Sequence, residues 1–169
     1  MAAELEVGDR VSDFTVQCVW CNEFTLSEQV KKHPILFYFY PVNYGMQCTA
    51  YSQLMNDYYD DLEKIGVKMF HVTLDTIDCH KGYMRRLDTR FDHAADTDHN
   101  VCRIFGMILP SSVGLGAAGM TTRGFALVDK DMILRYVWRG PSTIHLLDFQ
   151  LLIAELGEIL TNSSSERTE

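Results

Sequence analysis

The sequence lacks a long apolar run. No hydrophobic stretch reaches the roughly twenty residues that cross a bilayer, and Met1-Ala-Ala-Glu-Leu-Glu6 has neither the basic start nor the apolar centre of a secretion signal. Positive charge is also short: 15 Lys and Arg stand against 23 Asp and Glu, and the net charge of −8 favours solubility while opposing nucleic acid or an anionic membrane. The five cysteines are an odd number and cannot all pair within one chain. Exchangeable thiols of that kind suit a reducing compartment, so a cytoplasmic location is expected. No second C-x-x-C and no H-x-x-x-H completes a zinc site, and His33, His71, His80, His93, His99 and His145 show no repeated ligand spacing. Each histidine is therefore read as a polar contact or a core residue, and no metal is expected. Without repeats, the 169 residues are expected to form a single domain over 1–160, with the polar stretch 161–169 a disordered tail.

What is present is one strongly patterned stretch, Ile35-Leu-Phe-Tyr-Phe-Tyr40-Pro41-Val-Asn-Tyr-Gly45-Met-Gln-Cys48. Six apolar or aromatic residues in a row predict a fully buried strand, ended by Pro41, which has no N–H for a ladder. Beyond a short loop with Gly45, the residues Leu54, Tyr58, Leu62 and Ile65 recur at helical spacing up to a capping Gly66. Cys48 is thereby placed in the first turn of a helix. Unpaired N–H groups and the helix dipole favour a thiolate at such a position, which makes Cys48 the candidate nucleophile.

Before that stretch, Asp13–Cys18 and Cys21–Leu26 alternate and predict a β-hairpin, and Ser27 begins a short helical turn that His33-Pro34 breaks. After it, Val67–Leu74 predicts a strand parallel to the first, and Asp78 caps a helix to about Arg90. A short strand near Ala94-Ala95, a helix over Asn100–Phe105 and a glycine-rich loop over Leu109–Thr122 follow. Gly124–Val128 and Ile133–Trp138 predict a second hairpin, and Ser142 caps a last helix to about Leu160, apolar over more than half its circumference. Interleaved strands and helices predict an α/β fold with a central mixed β-sheet flanked by helices.

Pro41, Gly45 and Cys48 after a strand ending in Phe-Tyr-Pro, together with Val7-Gly-Asp-Arg-Val-Ser-Asp-Phe14, Val72-Thr-Leu-Asp75 and Arg123-Gly-Phe-Ala-Leu-Val-Asp-Lys-Asp131, resemble the peroxiredoxins. These thiol peroxidases carry Pro-x-x-x-Thr/Ser-x-x-Cys. The resemblance implies a thioredoxin-like fold and reduction of hydrogen peroxide or organic hydroperoxides by Cys48 through a sulfenic acid. It also implies recycling by thioredoxin or a similar dithiol, no cofactor, and a homo-oligomer such as a dimer. It casts Arg123 as the cation that holds the thiolate and the peroxide, and Pro41 and Gly45 as the active-site loop. Cys79 is a possible resolving cysteine, or else a bystander at a helix start.

Three positions depart from the family: Gly45 replaces the Thr/Ser hydroxyl, Tyr51 stands where glutamate is frequent, and Tyr83 follows His80 where tryptophan is usual. A peroxide sensor or redox-binding module with little turnover is therefore the alternative to an enzyme. Cys18-Val-Trp-Cys21 is read as two structural turn thiols, with a local disulfide second and a general thiol–disulfide oxidoreductase third. Cys102 is read as core, and Arg103, Arg135 and Arg139 as solvated surface residues.

Overall fold

A computed structural model describes residues 4–110 and 118–165. In chain order the elements are β1 (Thr15–Cys18), β2 (Glu23–Thr25), α1 (Leu26–Gln29), β3 (Ile35–Phe39), α2 (Met46–Asp57), α3 (Tyr59–Lys64), β4 (Lys68–Thr73), α4 (Ile77–Leu87), β5 (Asp92–Ala95), α5 (Asn100–Ile104), β6 (Gly124–Val128), β7 (Leu134–Arg139) and α6 (Phe149–Ser165). The strands form one mixed sheet in the order β2-β1-β5-β4-β3-β6-β7. Strands β3, β4 and β5 run parallel, whereas β1 with β2, β1 with β5, β3 with β6, and β6 with β7 are antiparallel. Among the described residues no helix is long and apolar enough to cross a membrane.

Every residue of β3 is buried because both faces of the sheet are covered. The pleat sends Ile35, Phe37 and Phe39 into one core, with Phe14, Phe24, Val101 and Phe105. Leu36, Tyr38 and Tyr40 point into the other, with residues of α2, α3, α4 and α6. Both expected hairpins and the parallel β3–α2–α3–β4 crossover form, as does the fold class expected from the sequence.

Several boundaries differ from expectation. The helix that carries Cys48 starts at Met46 and breaks at Tyr58 into α2 and α3. Its inner face is Cys48, Tyr51, Ser52 and Met55, continuing to Tyr59 and Leu62, while Leu54 is left exposed. With Met46 and Leu54 outside and Ser52 inside, hydropathy was a poor guide to that face. The cap of α4 is Thr76, whose hydroxyl accepts from the Cys79 N–H, and not Asp78.

Ser142 caps no helix. Asp148 does so, accepting from the N–H groups of Gln150 and Leu151, and Ile144 and Leu146 lie exposed before the helix. One stripe of α6, Phe149, Leu152, Ile153 and Leu156, is buried, so covering it from one side suffices. The helix also continues to Ser165 through residues expected in the polar tail, where Thr161, Ser163, Ser164 and Ser165 hydroxyls donate to carbonyls one turn back. Residues 111–117 of the glycine-rich loop and 166–169 of the tail lie outside the described residues. Arg135 pairs with buried Asp129, and Arg139 donates to the Phe105 and Leu5 carbonyls, so neither is simply solvated.

Three of the six histidines are core residues, as expected for their type, and they are clustered. His71 on β4, His93 on β5 and His80 on α4 are all 0% exposed. His71 stacks on Phe91 with ring centroids 4.0 Å apart, and among the described residues no hydrogen-bond partner reaches either of its ring nitrogens. Burial pushes His71 and His93 well below the ordinary histidine value and His80 down to about 4, against the opposing pull of the Asp75 carboxylate on His80.

Unfolding restores a value near 6.5, so below that pH the unfolded chain binds more protons than the native one, and stability falls as pH falls. For His80 the loss is spread between about pH 6.5 and pH 4 and reaches about 2 kcal/mol at pH 5 relative to pH 8. Urea denaturation of the wild type is expected to show at least that loss, and His80→Gln should show a smaller one. A wild-type midpoint unchanged between pH 8 and pH 5 would mean that the three rings are not buried neutral.

Candidate active site

The parallel strands β3 and β4 end side by side, and the chain leaves β3 through Tyr40 and Pro41 into a loop that delivers Cys48 as the third residue of α2. Gly45 is the N-cap, and the first intrahelical bond runs from the Thr49 N–H to the Gly45 carbonyl. The N–H groups of Met46, Gln47 and Cys48 therefore precede the intrahelical ladder in the same helix turn that carries the sulfur. Gly45 has φ −58°, which any residue adopts. A Cβ there would lie 3.4 Å from Cys48 Sγ, an ordinary contact.

Arg123, just before β6, is 2% exposed and directs its guanidinium at the thiol: Nη2 lies 3.2 Å from Cys48 Sγ. Three further acceptors fix it. Nη1 donates to the Tyr38 hydroxyl at 2.8 Å, Nη2 to Gln47 Oε1 at 3.2 Å and Nε to the Thr143 carbonyl at 2.6 Å. Burial works against its charge, yet Tyr38 and the Cys48 sulfur more than offset this and hold its pKa above the ordinary arginine value. Burial pushes the Tyr38 phenol well up in spite of Arg123, so its oxygen meets the guanidinium as a neutral acceptor. Sequence reasoning found Cys48 and Arg123 but missed Tyr38 and Gln47. The strand pleat could have placed Tyr38 on the Cys48 side, whereas no signal marked Gln47.

The segment after β7 straps the site from outside. Its carbonyls at 143, 144 and 147 accept from Arg123, Gln47 and Tyr51, respectively. Tyr51, at the position where the family often has glutamate, donates to the Leu147 carbonyl at 2.7 Å, which an ionised carboxylate cannot do.

The loop itself is latched by Asn43, which the sequence reading did not single out. It is 3% exposed, its N–H donates to Asp75 Oδ2, and its Oδ1 accepts from the Tyr40 hydroxyl. Its Nδ2 lies 3.1 Å from His80 Nδ1 and 3.6 Å from Cys79 Sγ. Since Nδ2 can only donate, His80 Nδ1 is an acceptor, which requires the neutral ring that burial already favours. Tyr44, at φ 62°, lays its ring against Tyr83 and its hydroxyl over Gly82 of α4, where a Cβ would come within 2.7 Å. A side chain at position 82 would have to push that exposed hydroxyl aside.

Cys48, Cys79 and Cys102 are free thiols, and Cys102 is buried as expected. Cys79 sits in the first turn of α4 with its sulfur against Asn43. Cys18 and Cys21, read first as two separate turn thiols, are joined by a disulfide because the hairpin turn folds the two side chains together.

The AhpC/TSA family model matches residues 7–137. Similar curated proteins include the putative peroxiredoxin YkuU of Bacillus subtilis, 29% identical over 147 residues that cover 79% of this chain and 78% of that one. The putative peroxiredoxin bcp of Coxiella burnetii is 24% identical over 135 residues, with 79% and 88% covered. The chain spans only 50–64% of the length of the chloroplast 2-Cys peroxiredoxins BAS1 that it matches in barley, spinach and Arabidopsis thaliana. Among solved structures, PrxQ of Xylella fastidiosa superposes with a TM-score of 0.79 over 96% of this chain and 99% of that one at 16% identity, which shows the shared fold. With that fold and a family model covering more than three quarters of its length, the chain belongs to the AhpC/TSA family, the peroxiredoxins.

Proposed function

We propose that this protein is a thiol peroxidase acting through Cys48. The observation that carries the reading is the buried Arg123 guanidinium at 3.2 Å from Cys48 Sγ, fixed by three other acceptors. The Cys48 thiolate attacks the terminal oxygen of a hydroperoxide. The O–O bond breaks, the sulfur becomes a sulfenic acid, and the departing oxygen leaves as water or an alcohol once protonated. The sulfur supplies both electrons, so the reaction calls for no metal, haem or flavin. Arg123 is preorganised to stabilise the charge that develops on the oxygens, because its donors are fixed before the peroxide arrives. The N–H groups of residues 46–48 are the available donors for the second oxygen, in place of the hydroxyl that Gly45 lacks.

The sulfenic acid is then resolved by Cys79: its thiol displaces water to give a Cys48–Cys79 disulfide, which an external dithiol of the thioredoxin class reduces. Asn43 stands against the Cys79 sulfur and pins the loop, so this step requires the latch and the first turn of α2 to open. A cytoplasmic setting and a homo-oligomer belong to the same reading, the first supported by the free thiols of Cys48, Cys79 and Cys102 and the second by the family's habit. The specific observation favouring a sensor of low turnover is Gly45, whose missing hydroxyl leaves the peroxide with backbone donors alone on that side.

Stopped-flow oxidation of Cys48 by hydrogen peroxide tests the enzyme reading, with Cys48→Ser expected to abolish it. Arg123→Ala should lower the second-order rate constant about a hundredfold or more, and Arg123→Lys should restore little because a point charge cannot reproduce the planar fork. An unchanged rate constant would remove Arg123 from the chemistry.

Gly45→Thr, which the backbone angle and the space beside Cys48 both allow, should raise that rate constant. No gain from a folded variant would show that the backbone donors already suffice. Peptide mapping after one equivalent of peroxide should recover a Cys48–Cys79 disulfide. A sulfenic acid that persists on Cys48 would leave resolution to an external thiol.

A further inference from the structure

We propose that Cys18 and Cys21 form a second thiol–disulfide exchange site, independent of Cys48, whose substrate is an external dithiol or the corresponding disulfide. The pair lies on a turn that does not need the sulfur–sulfur bond. Buried Asp92 accepts from three successive N–H groups, those of Val19, Trp20 and Cys21. The Cys18 N–H donates to the Asn22 carbonyl, the Glu23 N–H to that of Cys21, and the Val19 N–H to that of His93. A disulfide that closes so short a loop also removes little chain entropy from the unfolded state. Opening it therefore leaves the two cysteines side by side, with Cα atoms 5.6 Å apart and ready to close again.

The two cysteines differ in exposure. Cys18 ends β1 inside the core at 2% exposure, whereas Cys21 is half-buried next to Trp20, which is 55% exposed. Two clefts meet at Trp20, one running to Lys81 and Arg85 on α4 and the other past Cys21 to Lys68 and Arg90. An incoming thiolate therefore reaches Cys21. It bonds to Cys21 Sγ, the Cys18–Cys21 bond breaks, and Cys18 takes the electron pair and a proton. The second external thiol then attacks the mixed disulfide and releases Cys21, so two electrons and two protons pass from the dithiol to the pair. The reverse steps oxidise it.

Two other uses of the pair fit less well. Cys18 aligns with Ala94, Ala94 with Val72 and Val72 with Phe39, so β1 lies three strand spacings, about 14 Å, from β3. The turn points toward the start of β5, whereas Cys48 lies beyond the end of β3, so direct exchange with Cys48 is out of reach. Cys18, Cys21 and Asp92 also bring three potential metal-ligand atoms within 4.8 Å of one another. Both oxygens of Asp92 are already taken by backbone N–H groups, which a metal would have to displace.

The test uses the full chain carrying Cys48→Ser and Cys79→Ser, so that its outcome does not depend on the peroxidase reading. The folded protein is equilibrated in mixtures of reduced and oxidised dithiothreitol, and separately with reduced thioredoxin, then quenched in acid, alkylated and mapped. Cys18 and Cys21 are expected to exchange label together in one two-electron transition, with circular dichroism unchanged across it. In the same background, the free Cys21 thiol of Cys18→Ser should attack oxidised glutathione, releasing one reduced glutathione and leaving a mixed disulfide, about tenfold faster than the Cys18 thiol of Cys21→Ser does, since access governs attack. The proposal is overturned if the bond resists both reductants until urea is added, if the reduced pair does not close in oxidised buffer, if Cys18 is the faster site, or if the reduced pair retains one equivalent of added zinc.

Discussion

The structure around Cys48 depends on keeping one guanidinium charged without water. Arg123 is among the largest fully enclosed side chains in the protein, and a buried charge stripped of partners costs several kcal/mol. Its four acceptors come from three separate places: Tyr38 on the central strand, Gln47 and Cys48 on the helix start, and the Thr143 carbonyl on the strap. Losing any one leaves a donor unsatisfied, with a penalty of about 1–3 kcal/mol, so sheet, helix and strap are locked to one another through this single side chain. Tyr38, Gln47 and the Thr143 carbonyl all meet the guanidinium as neutral oxygens, and the Cys48 sulfur is its fourth contact.

Strand β3 supplies both halves of the site by its pleat alone. Tyr38 and Tyr40, two residues apart, share the face toward α2 and stack with ring centroids 5.2 Å apart. Tyr38 meets Arg123, and Tyr40 meets Asn43 and His93. One hydroxyl thus orients the cation, and the next orients the loop that brings Cys48 to it. A one-residue slip of β3 would turn both hydroxyls into the opposite core, among Phe14, Phe24 and Phe105.

How much of this could be read from the sequence depended on whether the signal was local. The run Ile35–Tyr40, the proline that ends it and the alternation of the two hairpins are local, and they fixed the sheet and the position of Cys48. Arg123 was reachable because it precedes an apolar strand in a familiar string. Asn43, Gln47 and the strap carbonyls were not, since their roles exist only once β3, β4 and the segment after β7 are side by side. The failed helix cap at Ser142 has the same origin: its hydroxyl bonds the His145 ring, while Asp148 takes the helix N–H groups. The N-capping side chain was legible as a residue type but not as a place. Sequence alone does not favour a Cys18–Cys21 bond over two turn thiols, because nothing in it places Asp92, 71 positions beyond Cys21, under that turn.

The departures from the family string are linked by the geometry. Tyr51 gives up a carboxylate beside Arg123 and in return donates to the Leu147 carbonyl, which holds the strap whose Thr143 carbonyl fixes Arg123 Nε. A carboxylate there would have been a competing anion for the guanidinium, whereas a phenol, held neutral by burial, leaves the cation to the sulfur. Gly45 removes a hydroxyl from the helix start, and Tyr44 beside it fastens the loop to α4 through Gly82 and Tyr83. One change removes a side-chain charge and the other a side-chain hydroxyl, and both leave the site to backbone groups and ring packing. A loop held this way opens only when several contacts release together, which ties access to Cys79 to the same neutral His80 that accepts from Asn43.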